Sequence, residues 1–220
     1  MSRRVLGCGA DLLAGRAFTY NLYPFSSREL GNAFILKDAL TFGSLPKVFE
    51  YPDANDKRDF LRSYVRTYLK EEIVAEQIIR QVEPFRDFLQ IAAQHNGEII
   101  NFSKIARDVG VDDKTVENYY QILEDTLVGI RLPSYHKSVR KRQREAPKFY
   151  FFDPGVKRAL DQTLRLELIP STYEYGRAFE HWVILEAHRL NDYKRLDYQL
   201  MYLKTKDGAE IDLVIERPGA

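Results

Sequence analysis

The sequence predicts a mostly helical α+β fold: a helical segment, a winged helix-turn-helix and an incomplete α/β unit. Apolar residues recur at helical spacing on both sides of a tight turn at Val109-Gly110-Val111. Two short apolar runs with strand character follow, at 130–135 and 148–152. A long helical pattern from residue 171 then gives way to two strands joined by the tight-turn sequence Lys206-Asp207-Gly208.

Composition excludes several classes of protein. Apolar residues make up 45% and charged residues 30% of the 220 residues, as expected for a folded, soluble chain. The formal net charge is +1, so any case for nucleic-acid binding rests on local patches. The single cysteine, Cys8, excludes an internal disulfide and fits a reducing cytosol, so we expect a cytoplasmic location. An apolar run of about 18 residues is missing, so a membrane is not an expected partner.

The first 31 residues predict a strand and loops that end in a short helix. Ser26-Ser27-Arg28-Glu29 is a capping box that closes a first segment, 1–31. Residues 32–83 are predicted to be helical, because apolar residues form a stripe and charged residues fill the other face. The stripe consists of Phe60, Leu61, Tyr64, Val65, Tyr68, Leu69, Ile73, Ile78 and Ile79. Its plain interpretation is a packed structural helix.

Residues 84–153 predict the winged helix. A helix near Pro84–His95 precedes the turn, and Asp112 or Asp113 caps the helix after it, because a carboxylate there accepts free backbone N–H groups. The buried face of this second helix is predicted at Val116, Tyr120, Leu123 and Leu127.

Candidate DNA contacts lie on this second helix. Lys114, Thr115 and Asn118 can meet phosphates or base edges. Phosphates would repel the acidic residues beside them, Glu117, Glu124 and Asp125. We therefore expect weak or non-specific DNA contact rather than sequence readout, and docking to a protein is the alternative.

The segment that joins the two predicted strands is basic. Its cations are Lys137, Arg140, Lys141, Arg142, Arg144 and Lys148. They can lie along a phosphate backbone, and Lys137, Arg140, Lys141 and Arg142 are the candidate contacts. They can equally clamp acidic groups elsewhere in the protein, and both interpretations stay open.

The last third of the chain predicts a helix, a longer helix and a hairpin. Asp153 caps a helix near 156–164, with Pro154 at its first position. Ser171-Thr172-Tyr173-Glu174 is a second capping box, and the helix after it runs to about Asn191. The apolar side of that helix is predicted at Phe179, Val183, Leu185, Ala187 and Leu190. Strands are predicted at Gln199–Lys204 and Glu210–Ile215.

Four carboxylates in this region, Glu180, Glu210, Asp212 and Glu216, are candidates for chemistry. Glu210 and Asp212 lie two apart, so both point from one face of a strand. With a glutamate from a neighbouring helix, Asp212 can hold a magnesium ion, which can activate water against a phosphodiester. The competing interpretation is an ordinary pair of surface acids at the start of a strand.

Several segments together resemble a known family. They are Leu-Leu-Ala-Gly-Arg-Ala (12–17), Tyr-Pro-Phe-Ser-Ser-Arg-Glu-Leu (23–30), Phe-Gly-Ser-Leu-Pro (42–46), Phe-Leu-Arg-Ser-Tyr-Val-Arg-Thr-Tyr-Leu-Lys-Glu-Glu-Ile (60–73), Asn-Phe-Ser-Lys-Ile-Ala (101–106), Lys-Phe-Tyr-Phe-Phe-Asp-Pro-Gly-Val (148–156), Gly-Arg-Ala-Phe-Glu (176–180) and Gly-Ala-Glu-Ile-Asp-Leu-Val (208–214). In this order, the chain resembles the C-terminal two-thirds of prokaryotic AAA-family P-loop ATPases that carry "domain of unknown function 4143".

The resemblance implies the roles of four parts. Residues 1–31 would be the tail of an ATPase core, 32–83 a helical linker, 84–153 a winged helix and 154–220 an incomplete restriction-nuclease-like domain. ATP and Mg²⁺ are the implied cofactors of the full-length family. This chain contains no Gly-x-x-x-x-Gly-Lys-Ser/Thr, so it offers no phosphate cradle of its own.

The resemblance also implies roles for three residues. Arg16 matches an arginine close to the nucleotide site of related ATPases. Glu180 and Asp212 match the helix glutamate and strand aspartate of nuclease-like folds, with Asp212 also as a metal ligand. The Glu-x-Lys expected on the next strand is not present in this sequence.

Three functions remain open at this point. The first is a DNA-associated part of an AAA-family ATP-binding protein, with an incomplete nuclease-like module. The alternative is an interaction module that docks an ATPase core, a partner subunit or a second copy without nucleic acid. The third is a metal-dependent nuclease, which would need a lysine near Asp212, from Lys204 or Lys206.

Overall fold

The structure is a computed structural model that describes residues 20–69, 82–136, 138, 142, 145–205 and 207–219. Within these ranges it confirms the mostly helical α+β class, with two antiparallel sheets of two strands each. Several predicted positions lie outside the described residues: Arg16, Ile73, Ile78, Ile79, Lys137, Arg140 and Lys141.

Three helices form the first part: α1 at Ser27–Leu30, α2 at Leu36–Phe42 and α3 at Ala54–Ser63. Short 3₁₀ turns lie at Gly31–Ala33 and Pro46–Glu50, and a π-helical turn at Tyr64–Leu69 continues α3. The predicted capping box is confirmed: the Ser26 backbone N–H donates to the Glu29 carboxylate at 2.8 Å, and the Ser26 hydroxyl accepts from the Glu29 N–H.

The winged helix-turn-helix follows. Its helices are α4 at Val82–Gln94, α5 at Phe102–Val109 and α6 at Asp113–Asp125. Gly110 ends α5 in the left-handed conformation, at φ 79°. Asp112, not Asp113, caps α6, and its carboxylate accepts from the Thr115 N–H at 2.9 Å.

One predicted core position on α6 is wrong. Val116, Tyr120 and Leu123 are buried as expected, but α6 ends at Asp125. Leu127 therefore lies in the following turn at φ 60°, where it is only half-buried. Tyr119 lines the buried face of α6 as well, and its ring packs edge-on against Phe85 at 5.0 Å.

The first sheet pairs β1 at Gly129–Leu132 with β2 at Lys148–Phe151. β1 is shorter than predicted because Pro133 cannot donate to the ladder. Beyond Leu132 the chain instead meets β3, and Tyr202 N–H donates to Pro133 O at 3.0 Å while Tyr135 N–H donates to Tyr202 O at 2.6 Å. We call residues 129–151 the ribbon.

The last part consists of α7 at Pro154–Leu160, α8 at Tyr173–Tyr193, β3 at Gln199–Lys204 and β4 at Glu210–Glu216. Asp153 caps α7 and Pro154 is its first residue, as predicted. α7 is shorter than the predicted helix at 156–164. Thr172, not Ser171, caps α8, because Ser171 adopts φ 68° and the Thr172 side chain accepts from Tyr175 N–H.

The predicted apolar side of α8 is also partly wrong. Leu185 is buried, but Phe179 is 41% and Leu190 44% exposed. The buried side includes His181 and Arg189, whose side chains bond to backbone carbonyls. These hydrogen bonds offset the free-energy cost of burying the two polar side chains. The side of α8 that packs against the protein interior therefore differs from the side that its apolar residues predict.

Two hydrophobic clusters meet at β2, which is buried along its whole length. Phe149 and Phe151 pack into a large cluster formed by the helices. Tyr150 packs with Ile184 and Tyr202 in a smaller cluster beside α8 and β3. Alternation along the strand therefore places Lys148 and Tyr150 on the side that faces α8 and the second sheet.

Within the part of the chain that the structure describes, no helix is both long and apolar enough to cross a bilayer.

Candidate functional site at Lys148

Three separate elements bring charged side chains together around Lys148. Lys148 opens β2, Glu180 lies on α8, and Glu210 and Asp212 lie on β4. We call these four residues and Tyr150 the Lys148 cluster. Because Lys148 begins a strand with both faces covered, its side chain cannot reach open water and is only 3% exposed.

The Lys148 ammonium is surrounded by carboxylates. Its Nζ lies 2.5 Å from Glu210 Oε1, 3.2 Å from Asp212 Oδ1 and 3.4 Å from Glu180 Oε1. It also lies 5.6 Å from the centre of the Tyr202 ring. A buried ammonium needs such partners, because an unpaired charge in the interior is very costly.

Tyr150 extends the cluster from the same strand. Its hydroxyl donates to Glu180 Oε1 at 2.5 Å. Burial, and then the charge of Glu180, raise the pKa of Tyr150 well above its ordinary value, so this hydroxyl stays a donor. Glu180 therefore accepts from two donors, the neutral Tyr150 hydroxyl and the charged Lys148 ammonium.

The two ion-pair partners shift each other's titration. Burial alone would lower the pKa of Lys148, but its hydrogen bond with Glu210 and the charge of Glu180 outweigh burial and raise that pKa. The same hydrogen bond is the main cause that lowers the pKa of Glu210. Both shifts favour the ionised pair.

The structure brings together three of the four predicted carboxylates. Glu180, Glu210 and Asp212 share one cation, while Glu216 binds Arg142 instead, at 3.2 Å. Lys148 was not predicted in this position. The sequence does contain a signal for its burial. Lys148 directly precedes the apolar run Phe149–Phe152, so it is expected to be buried with that run.

The lysines that the nuclease interpretation named behave differently. Lys204 lies 3.7 Å from Glu210 Oε2 and is 48% exposed, so it is a peripheral partner. Lys206 lies outside the described residues. In the described part of the chain, Asp212 instead pairs with Lys148 of the ribbon, at 3.2 Å, and Lys148 precedes it by 64 positions in the sequence.

The cluster does not fit a magnesium ion at Asp212. Carboxylate oxygens suit Mg²⁺, but here those oxygens converge on an ammonium that already supplies the positive charge. Among the described residues, no group of three or more His, Cys, Asp or Glu side chains is arranged to hold a metal ion. The metal role of Asp212 and the catalytic role of Glu180 therefore gain no support from this geometry.

The predicted DNA contacts on α6 are exposed or half-exposed, but they lie among acids. Lys114 and Asn118 are exposed. The Thr115 hydroxyl donates to Asp112 Oδ2 at 2.7 Å and serves the helix cap. Glu124 pairs with Arg131 at 3.5 Å. DNA contact by Lys114, Thr115 and Asn118 stays a prediction.

Arg142, the predicted ribbon contact that the structure describes, points into the protein. It donates to Glu216 Oε2 and to the His136 carbonyl, each at 3.2 Å, and also contacts the Gln199 side chain. Of the two interpretations of the ribbon cations, Arg142 and Lys148 both follow the second: each clamps acidic groups of this chain.

Two family models match the chain. One, described as "Domain of unknown function (DUF8612)", matches residues 34–167. The other, "Domain of unknown function (DUF4143)", matches residues 175–220 and is a domain found in AAA ATPase-associated proteins. Neither model is that of a P-loop ATPase core. The domain bounds expected from the sequence stay predictions.

Two curated relatives are similar over nearly the whole chain. They are the uncharacterized proteins Mb2031c of Mycobacterium bovis and Rv2008c of Mycobacterium tuberculosis, each 27% identical over 219 residues. The match covers 98% of this chain and 48% of each relative, so the chain spans about half the length of these proteins. No solved structure matches.

Proposed function

Since the chain belongs to the DUF8612 family and ends in a DUF4143 match, we propose that it is an accessory, C-terminal part of an AAA-type ATP-binding protein. Its winged helix docks a protein partner and does not read DNA. ATP and Mg²⁺ are then cofactors of the longer protein, and the role of Arg16 at the nucleotide stays a prediction. This chain contributes the docking surface and, next to it, the ion pairs of Lys148 and Arg142 that support that surface.

The outer surface of α6 carries the proposal. This helix would enter the major groove if the module bound DNA as winged helices do. Its cap and exposed positions hold four carboxylates, Asp112, Asp113, Glu117 and Asp125, against one cation, Lys114. A fifth carboxylate, Glu124, is half-buried and paired with Arg131. Phosphates would repel such a surface, whereas a basic protein surface would be attracted to it.

Two ribbon cations that the structure describes support the same conclusion. A wing that binds DNA keeps its cations free for phosphates. Here the Arg142 guanidinium is paired with Glu216, and the Lys148 ammonium with Glu180, Glu210 and Asp212. Cleavage of nucleic acid is not part of the proposal, because this lysine is enclosed among its carboxylates.

A salt titration of labelled duplex DNA, read by fluorescence anisotropy, tests the proposal. We expect the purified chain to bind more weakly than about 10⁻⁴ M even at about 50 mM salt. Replacing Glu117→Lys and Asp125→Lys together should create binding that weakens steeply at about 200 mM salt, because the surface then attracts phosphates.

The matched control is Asp56→Lys with Glu167→Lys, which makes the same change of charge on other elements. It should leave DNA binding undetectable if the position of the charge matters. Micromolar, salt-dependent binding by the unmodified chain would overturn the proposal and restore the DNA-associated interpretation.

A further inference from the structure

A cavity of about 370 Å³ lies between α7, the loop at residues 161–172 and the first turns of α8. Small-molecule sites in proteins measure about 300–1,000 Å³. The rim includes the exposed side chains of Leu166, Ile169 and Tyr173. The floor consists of buried residues from several elements, namely Leu40, Asn96, Pro154, Arg158, Leu168 and His181. None of the lining residues lies on β3 or β4.

Two polar side chains of the floor are fixed by the backbone of Phe151. The Phe151 N–H donates to Asn96 Oδ1 at 2.8 Å, and His181 Nε2 lies 2.6 Å from the Phe151 carbonyl oxygen. A carbonyl oxygen can only accept, so Nε2 of His181 carries the proton that it donates. A backbone N–H can only donate, so the Asn96 amide must turn its oxygen towards it.

These bonds define the polar atom that each side chain has left. For Asn96 it is the Nδ2 amide group, a donor. For His181 it is Nδ1, an acceptor as long as the ring is neutral. Burial lowers the pKa of His181 to about 3, and the charges of Lys157, Arg189 and Arg177 lower it as well. The ring is therefore neutral at physiological pH.

Neither of these two atoms has a hydrogen-bond partner among the described residues. Asn96 is only 5% exposed and His181 only 2%. Polar atoms of buried side chains nearly always have a partner, so a free donor and a free acceptor on one cavity floor need an explanation. A ligand with one acceptor and one donor would supply it.

The charges of the lining balance. Arg158 on the floor and Glu174 on the rim have no ion-pair partner among the described residues, and they are opposite in sign. The other charged side chains of the lining are each paired: Lys157 with Asp161, Arg177 with Glu98 and Glu167 with Lys37. Because the sum is zero, a neutral ligand is favoured over an ion, which would lose its hydration without gaining a countercharge.

We propose that this cavity binds a small neutral molecule that has an apolar body and a primary carboxamide group. The amide oxygen accepts from Asn96 Nδ2, and the amide N–H donates to His181 Nδ1. The apolar body lies against Leu40, Leu168 and Ile169. A carboxylate has no proton to donate to His181, and an ammonium group cannot accept from Asn96, so both are poorer ligands.

This proposal goes beyond the docking of a partner by α6. No lining residue of the cavity belongs to α6, and the argument uses no property of that helix. The cavity can therefore bind its ligand whatever α6 binds, and failure of one proposal leaves the other standing.

An NMR titration of the ¹⁵N-labelled chain with 3-phenylpropanamide tests the proposal. We expect a Kd of about 1 mM or lower, with shifts of amide signals around the cavity. N,N-dimethyl-3-phenylpropanamide lacks the N–H donor, and 3-phenylpropanoate lacks it and is charged. Each should bind at least about fivefold more weakly, because His181 Nδ1 stays unpaired.

Two variants of the chain test the location. Ala178→Leu adds carbon atoms to the lining of the cavity and should weaken binding of the amide by about fivefold or more. Ala209→Leu is its matched control at an exposed position in the β3–β4 turn and should leave the affinity unchanged. Asn96→Asp keeps an oxygen for the Phe151 N–H and removes the free donor, so it should weaken binding by a similar factor.

Circular dichroism shows whether each variant is folded. If Asn96→Asp does not fold, the three ligands and Ala178→Leu still decide the question. The proposal is overturned if the unmodified chain does not bind the amide at up to about 10 mM. Equal binding of the amide and the dimethylamide, or an unchanged affinity in Ala178→Leu, would overturn it as well.

Discussion

Single residues decide how this chain is held together, and Lys148 is the clearest case. It is a 3% exposed cation whose partners come from two other elements. Removing one member of a buried ion pair destabilises a protein more than replacing the whole pair with apolar residues does. The reason is that the remaining charge stays buried without a partner. The role of Lys148 can therefore be tested by truncation to an apolar residue of similar length.

We predict that Lys148→Met lowers the free energy of unfolding by about 2–3 kcal/mol at neutral pH. This is below the usual cost of breaking a buried pair, because the carboxylates are partly exposed and water screens them. Urea unfolding followed by circular dichroism measures the change. Lys204→Met, at the 48% exposed lysine beside Glu210, is the control and should cost less than about 1 kcal/mol. Equal losses in both variants would count against a special role for Lys148.

The pH dependence has a definite sign. The folded pKa of Glu210 is lowered, so its stabilising contribution is present above about pH 4 and is lost as the pH falls through that pKa. The folded pKa of Lys148 is raised, so its contribution is present below about pH 10 and is lost as the pH rises through that pKa. In Lys148→Met the carboxylates repel one another, so that variant should gain stability between about pH 7 and pH 5.

At the level of elements, the contact between α2 and α7 depends on two glycines. Gly43 ends α2 at φ 73°, and a Cβ there would lie 1.9 Å from Asp153 Oδ1. A Cβ on Gly155 would lie 2.1 Å from the Phe42 carbonyl oxygen. The close approach lets the fully buried Asp153 accept from Ser44 N–H at 2.6 Å and from Val156 N–H at 3.0 Å. One carboxylate thereby caps α7 and ties it to α2.

We predict that Gly43→Ala destabilises the protein by roughly 2–4 kcal/mol, because it combines a strained backbone with displacement of Asp153. Gly176→Ala is the matched control. Gly176 lies within α8, and an added Cβ would meet nothing within 4 Å. That change should stabilise by about 0.5–1 kcal/mol. Thermal unfolding of both variants measures the contrast, and a neutral Gly43→Ala would show that the α2–α7 contact is looser than described.

For the whole molecule, the sequence predicts the elements better than the contacts between them. The Asp153 cap, the Asp112 cap and the positions of β3 and β4 follow from local signals, namely capping residues, turn residues and alternation. The Lys148 cluster joins residues 32 and 64 positions apart, which no local pattern reports. The inward side of α8 was mispredicted because His181 and Arg189 are buried against carbonyls, which hydropathy counts as exposed polar residues.

On the scale of the whole molecule, ion pairs connect the two segments that the family models match. The ribbon belongs to the DUF8612 match, whereas Glu180, Glu210, Asp212 and Glu216 belong to the DUF4143 match. Lys148 and Arg142 connect them through ion pairs. Under the proposed function, these ion pairs brace the helices α4–α6 and present α6 on a fixed base.

A double-mutant cycle between Lys148→Met and Glu210→Gln, measured by urea unfolding, tests most directly whether the ribbon cations bind carboxylates of this chain. We predict a coupling free energy of about 1–3 kcal/mol, because the two side chains contact each other at 2.5 Å. A coupling within about 0.3 kcal/mol of zero would contradict the account, since the two residues would then act independently.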